Sequence, residues 1–297
     1  MTDQPTANEQ SWSLPKRILF RFGFAYFFLS SFSQIIAPIH LAFLAIPIFA
    51  ICHWFIPLLS AMLHIPTPLP DSQVNGSGDT TYNYMIVLCQ LIGAVVGTIV
   101  WSAIDFKRKH YDVLYKWFRL MLRLGLGSAM ISYGAYKVVN SQFPAPGLFR
   151  MIETYGESSP MGLLWTFMGS SGEYSTFVGL AEMIAGCLLM FPKFTLLGAL
   201  VGFAVTTNVF MLNMCYDVPV KIYSFHLLLT SILLIIPDFQ RILDFFVRHL
   251  SVQLRTDPPL FTRNQLNNAA NIIQVVYGLI VMVGSLDSSI GATRKYP

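Results

Sequence analysis

Apolar runs of about 20 residues recur along this chain, and each is close to the length that an α-helix needs to cross a lipid bilayer. Hydrophobic residues make up 54% of the chain and charged residues only 11%, which excludes a soluble domain built around one large core. The basic residues flank the apolar runs without forming a basic face, so the net charge of +4 does not indicate a nucleic-acid partner. The sequence therefore predicts an all-α, polytopic transmembrane helix bundle with the lipid bilayer as a partner.

We predict about seven membrane crossings and one exceptional segment. Residues 40–63 are apolar, but Pro47 and Pro57 interrupt them, and we interpret them as interfacial or re-entrant. A cleaved signal peptide is the rival interpretation of the first run, although Arg21 and the missing cleavage pattern favour a retained helix. The predicted crossings cover residues 18–36, 84–103, 120–137, 174–191, 194–214, 218–236 and 271–286.

The distribution of Lys and Arg predicts the orientation, because cytoplasmic loops are enriched in them. With a cytoplasmic N-terminus and no full crossing at 40–63, the dense basic cluster at 107–123 lies inside. A full crossing there would exchange the sides of every later loop and put that cluster outside. The predicted outside then holds only Lys137, Arg150, Lys221, Arg294 and Lys295.

Glu182 lies in the middle of an apolar run, where a charge is costly enough to indicate a functional site. On a helix it shares one face with Gly179 and Gly186, whose small size permits close approach of a neighbouring helix. We predict that Glu182 pairs with Lys137 or Lys221, the two basic residues near the same outer boundary.

Other polar residues fall at similar depth, and together they predict an outward-opening polar pocket. His226 joins Glu182 and Lys137 as a catalytic candidate, and the alternative interpretation of the set is hydrogen bonding between helices without further function. We expect residues 142–160 to cover the pocket as a lid, with Arg150, Glu153 or Glu157 facing inward. The predicted pocket-lining residues are Tyr133, Asn208, Asn213, Asp217, Lys221 and Tyr223.

Metal and haem sites are not predicted. The loop containing Asp71, Asn75 and Asp79 is spaced partly like a calcium loop, but Tyr82 stands where that motif needs a bidentate glutamate. The cysteines have no paired spacing, and the histidines never recur at the spacing that would put two imidazoles on one helix face. The loop is therefore interpreted as a polar turn.

Several stretches resemble the DoxX and DoxD group of membrane proteins. They are Ser132 to Lys137, Gln142 to Pro144, Tyr155 to Gly169, Gly179 to Leu189 and Asn213 to Lys221. The resemblance covers about residues 115–240, and it implies a four-helix core. For the DoxD type it also implies association with a thiosulfate:quinone oxidoreductase.

We therefore divide the chain into four parts and place it in the inner membrane. Residues 1–17 form a cytoplasmic tail, and 18–104 hold the N-terminal spans, including segment 40–63 and an outer loop at 64–83. Residues 105–240 form the DoxX-like core, and 241–297 hold an amphipathic interfacial segment and the last span.

Two functions are open from the sequence. The first is an accessory subunit of membrane quinone or thiol redox chemistry, with Glu182 and His226 handling protons, a quinone as candidate ligand and a redox enzyme as partner. Whether the chain is itself catalytic stays open. The second is a non-enzymatic protein for lipid or solute binding, transport or assembly.

Overall fold

The structure, a computed structural model, describes residues 11–68, 78–253 and 257–295, and every regular element within them is helical. Short 3₁₀ turns join several of the helices. The helices are α1 (Leu14–Ile36), α2 (Ile46–Met62), α3 (Thr81–Ile104), α4 (Asp112–Val138), α5 (Leu148–Ile152), α6 (Pro160–Gly169), α7 (Gly172–Leu189), α8 (Thr195–Cys215), α9 (Lys221–Ile235), α10 (Phe239–Phe246) and α11 (Asn264–Lys295).

Six of the described helical stretches are long and apolar enough to cross a membrane. They contain α1, α2, α3, α8, α9 together with α10 (Lys221–Phe246), and α11. The chain is therefore a multi-pass membrane protein. Helices α4 and α7 are not among the six, and both carry buried charged side chains. Because α4 contacts α1, α7, α9 and α11, it lies inside the bundle. Seven crossings and a DoxX-like core remain predictions.

Glycines bring α4 and α7 into direct backbone contact. A Cβ atom added to Gly134 would lie 2.5 Å from the carbonyl oxygen of Gly179, and one added to Gly186 would lie 2.7 Å from that of Gly127. The two contacts are seven residues apart on each helix and run in opposite directions, so the helices are antiparallel. The sequence-based expectation that small residues beside Glu182 permit close approach is confirmed.

Basic residues from the start of α1 and from the turn before α4 gather at one end of the bundle. Arg17 donates a hydrogen bond to the carbonyl oxygen of Arg108 at 2.9 Å, and the Trp12 amide donates to that of Lys109 at 2.9 Å. We refer to this end, which also holds Arg119, as the Arg119 end. The opposite end, where α4 finishes, is the Lys137 end.

The segment between α1 and α3 starts and finishes at the Lys137 end, because α1 itself runs from the Arg119 end to the Lys137 end, where its Gln34 contacts Tyr223. Helix α1 begins at the Arg119 end, whereas α3 begins at the Lys137 end, where the Gly78 amide donates to the Pro219 carbonyl oxygen at 2.8 Å. Between them α2 continues as a helix through Pro57. Because the stretch Ala42–Met62, which comprises a 3₁₀ turn and α2, is long and apolar enough to span a membrane, the interfacial or re-entrant interpretation of 40–63 stays a prediction.

A carboxylate from the loop before α3 fixes the start of α9. Both oxygens of Asp79 accept hydrogen bonds from backbone amides, at 2.6 Å from Lys221 and at 2.9 Å from Ile222. A carboxylate at a helix N-terminus is favoured by the free amides and by the helix dipole. The other residues of the calcium-like pattern, at positions 71–77, lie outside the described residues.

Candidate functional site

Lys137 and Glu182 form a buried ion pair between α4 and α7. The Lys137 Nζ atom donates to both carboxylate oxygens of Glu182 at 2.7 Å, and the two residues are only 5% and 2% exposed. Lys137 lies in the last turn of α4, where the helix dipole favours a cation. The Gly134–Gly179 contact holds the two backbones close enough for this lysine to reach the carboxylate.

The other lysine considered from the sequence has a different partner. Lys221 Nζ lies 2.7 Å from an oxygen of Asp217, whose side chain is 83% exposed. An ion pair in that setting contributes little to stability because solvent screens it. Lys137, not Lys221, is therefore the counter-charge of Glu182.

A cavity of about 350 Å³ opens beside this ion pair, between α1, α3, α4 and α9. Its walls combine apolar side chains with hydroxyl, amide and imidazole groups, as ligand sites commonly do. The polar residues that line it are Ser30, Ser31, Gln34, Asn83, Gln90, Tyr133, Tyr223, His226 and Thr230.

His226 is held in one orientation by two short hydrogen bonds. Its Nδ1 atom lies 2.7 Å from the carbonyl oxygen of Ile222, and its Nε2 atom lies 2.6 Å from the hydroxyl of Tyr26 on α1. A carbonyl oxygen can only accept, so Nδ1 carries the proton. In the neutral ring, Nε2 then accepts from the buried Tyr26 hydroxyl. This arrangement couples an imidazole base to a phenol at the cavity wall.

Two stacked tyrosines separate the ion pair from the cavity. The rings of Tyr133 and Tyr223 lie 5.5 Å apart, and the Tyr223 hydroxyl donates to Gln34 of α1 at 3.4 Å. Behind Tyr133, the Lys137 ammonium lies 5.6 Å from the ring centre. Lys137 and Glu182 therefore support the cavity wall without lining the cavity.

The grouping of six pocket-lining residues from the sequence needs correction. Only Tyr133 and Tyr223 line this cavity. Asn208 is exposed on the outer face of α8, and Asn213 is buried between α8 and α9, where it donates to Ser224 at 3.0 Å. Asp217 is exposed and Lys221 pairs with it at the helix start. Similar depth along a helix did not ensure a common face.

The expected lid, residues 142–160, does not line this cavity. Arg150 forms an ion pair with Glu153 and donates to the Thr166 hydroxyl of α6 at 3.0 Å. Glu157 is exposed and accepts from Thr154 in a capping arrangement, so its expected inward orientation is corrected. None of the three charged residues lines the cavity. The segment packs on α6, and Phe143 is buried against Leu164 and Met168.

Helices α1 and α3 contribute to the site in a way that was not predicted from the sequence. Tyr26 and Gln34 of α1 hydrogen-bond the site residues of α9, and Gln90 of α3 lines the cavity. A detectable signal was present, because glutamine within an apolar run is costly unless it faces other polar groups.

A second charged cluster at the Arg119 end was also missed. Asp257, just before α11, lies 2.7 Å from Arg119 and accepts from Thr195 at 2.8 Å. Arg123 donates to the Leu189 carbonyl oxygen at 2.9 Å and to Gln274 at 3.1 Å. These contacts connect α4, α7, α8 and α11. The signal was the four-residue spacing of Arg119 and Arg123, which puts both on one helix face.

Comparisons with known proteins add one relative. No protein-family model matches the chain, and no solved structure matches it. The uncharacterized protein YwoB of Bacillus subtilis (strain 168) is 29% identical over 133 residues, which cover 42% of this chain and 79% of YwoB. This similarity brings no activity, ligand or partner to the present chain.

Proposed function

We propose that this chain binds a membrane quinone in the cavity at the Lys137 end and serves as an accessory subunit of a membrane redox enzyme. The supporting observation is His226, which lines a cavity of about 350 Å³ and is hydrogen-bonded to Tyr26 of α1. In this proposal the chain lies in the inner membrane with its N-terminus in the cytoplasm. The cavity then opens toward the outside.

The chemistry of the wall suits a quinone head group. A quinone takes up two electrons and two protons to become a hydroquinone, and the partner enzyme would exchange the electrons. Its carbonyl oxygens require donors, which the side-chain amides of Gln34 and Gln90 offer around the cavity. The apolar remainder of the wall and the surrounding bilayer accommodate the ring and its hydrocarbon tail.

His226 is the residue that would exchange a proton with the ligand. Its ring is fixed by the Ile222 carbonyl oxygen, so Nε2 is the nitrogen left to gain a proton. Tyr26 donates to that atom in the structure, and in this proposal a ligand hydroxyl takes its place as the donor to Nε2. Glu182 and Lys137, catalytic candidates from the sequence, act as positioning residues in this proposal because they hold Tyr133 against Tyr223.

Binding of decylubiquinol, the reduced form whose hydroxyl can donate to Nε2 of His226, tests the proposal on purified full-length protein. We expect His226→Phe to weaken binding about tenfold, as the loss of one buried hydrogen bond worth about 1.4 kcal/mol would. Titration calorimetry in a neutral detergent gives the dissociation constants. His53→Phe is the matched control, because His53 is exposed on α2 and lies outside the cavity lining.

Equal dissociation constants for His226→Phe and the wild-type protein would contradict the proposed site. Mass spectrometry of molecules that copurify with the gently solubilised protein addresses the accessory role. A bound lipid without any quinone would support the alternative of a non-enzymatic protein for lipid or solute binding, transport or assembly.

A further inference from the structure

A second and larger cavity lies at the Arg119 end, between α1, α4, α8 and α9. Its volume is about 910 Å³, and it does not involve the quinone site proposed above. Its deep walls are apolar and include Phe22, Phe27, Leu122, Leu229 and Leu233. A cavity of this size and character accommodates a hydrocarbon chain.

Three lysines lie at its mouth. Lys16 and Lys193 are exposed and Lys116 is half-buried, and all three line the cavity. In the part of the chain that the structure describes, no carboxylate forms an ion pair with any of them. Lys116 donates to the Pro259 carbonyl oxygen at 2.9 Å, and the Lys16 ammonium lies 4.4 Å from the ring centre of Trp12.

The carboxylates that line the same cavity already have partners. Asp257 pairs with Arg119 at 2.7 Å, and Asp238 pairs with Arg241 at 2.5 Å. The remaining one, Asp112, lies 2.7 Å from the His110 imidazole. The lysines at the mouth therefore keep a positive field, which attracts an anion above the apolar walls.

We propose that this cavity binds an amphipathic molecule with an anionic phosphate head and a hydrocarbon tail. The head lies among Lys16, Lys116 and Lys193, since ammonium groups bind phosphate as point charges. The tail enters between Phe27 and Leu229, where it displaces water from apolar surface. The same lysines could attract soluble phosphate, so the experiment must distinguish head from tail.

One glycine makes the tail compartment testable without damaging the fold. Gly23 of α1 lines the cavity, and a Cβ atom added there would meet nothing within 4 Å. Gly23→Leu therefore fills cavity space while leaving helix contacts intact. Gly284→Leu is the matched control, because Gly284 also has open space around it but is exposed on α11, outside this cavity.

The experiment measures dissociation constants by native mass spectrometry of full-length protein in dodecyl maltoside. The probes are 1-oleoyl lysophosphatidic acid, 1-oleoyl glycerol and glycerol 3-phosphate, which carry head and tail, tail alone and head alone. We expect the first to bind at least about tenfold more tightly than either of the others, because only it engages both compartments. Gly23→Leu should weaken its binding about tenfold, whereas Gly284→Leu should not.

The charge arm uses two pairs of lysines at the same end. Lys116→Gln with Lys193→Gln should weaken lysophosphatidic acid binding about tenfold, as the loss of two head-group contacts would. Lys107→Gln with Lys109→Gln removes equal charge from outside the cavity and should leave binding unchanged. If both pairs of substitutions weakened lysophosphatidic acid binding equally, the effect would be one of general surface charge and would contradict a head-group site at the cavity mouth. The proposal of an amphipathic ligand would be overturned if glycerol 3-phosphate bound as tightly as lysophosphatidic acid. It would also be overturned if Gly23→Leu left lysophosphatidic acid binding unchanged.

Discussion

Glu182 accepts hydrogen bonds from one ammonium group through both of its oxygens, in a region from which water is excluded. We expect Glu182→Gln alone or Lys137→Met alone to lower the free energy of unfolding by about 3–5 kcal/mol, because each leaves an unpaired buried charge. The double variant, Glu182→Gln with Lys137→Met, should lose less free energy of unfolding than the two single variants lose together. Thermal unfolding of the purified proteins in detergent measures all three.

Lys221→Met is the control for this comparison. Its nearer partner Asp217 is exposed, and its second partner Asp79, at 3.9 Å, keeps hydrogen bonds from two backbone amides, so this substitution should cost less than about 1 kcal/mol. Additive losses in the double variant would mean that Lys137 and Glu182 do not stabilise each other, and the ion pair would then carry no structural role.

The residues of the site differ in how well their positions could be predicted from the sequence. The cost of a charge in an apolar run identified Glu182 and limited its partner to two lysines, of which the structure selects Lys137. Asn208 was misplaced because depth along a helix is readable from residue counts, whereas rotation about the helix axis depends on packing. Tyr26 could not be found, since tyrosine is ordinary in an apolar run and gains its importance only beside His226.

The α4–α7 interface offers a prediction at the level of a helix pair. Gly134→Ala should lower the free energy of unfolding by about 1–3 kcal/mol, because its Cβ atom would meet the Gly179 carbonyl oxygen and force the backbones apart. Gly284→Ala, on the exposed face of α11, should have no destabilising effect. Unfolding measurements that give equal values for both variants would contradict the close backbone contact.

Helix boundaries could be predicted where apolar runs end in charged or glycine-rich turns. The predicted span at 174–191 corresponds closely to α7 (Gly172–Leu189). Helix α11 (Asn264–Lys295) extends well beyond the predicted 271–286, because a helix can continue into polar sequence past the apolar run. In α2 neither proline breaks the helix. Pro47 lies in the first turn, where no amide partner is lost, and the helix continues through Pro57 with the loss of one backbone hydrogen bond.

The two cavities for which ligands are proposed lie at opposite ends of the bundle, and the sequence indicated only the one at the Lys137 end. The basic residues of the other end were interpreted as topology signals, and nothing in their spacing showed that helices α1, α4, α8 and α9 would leave space between them. Cavities result from imperfect packing among several elements, which a single sequence does not record.

The orientation of the whole molecule is also testable. In a cysteine-free background, a cysteine at Tyr155 should react with a membrane-impermeant maleimide in intact cells, because Tyr155 is 81% exposed at the Lys137 end. A cysteine at Lys109 should react only after permeabilisation, since positive loops stay in the cytoplasm. Labelling of position 109 in intact cells would mean that the protein has the opposite orientation and that each cavity opens on the other side of the membrane.

The ion pairs of α4 also constrain the order of assembly during synthesis. Lys137 precedes its carboxylate by 45 residues, and Arg119 precedes Asp257 by 138 residues. The ribosome therefore delivers the cations of α4 well before the anions that neutralise them. Helix α4 cannot reach its final surroundings as the helices emerge one by one. Its burial must wait until nearly the entire chain has left the ribosome.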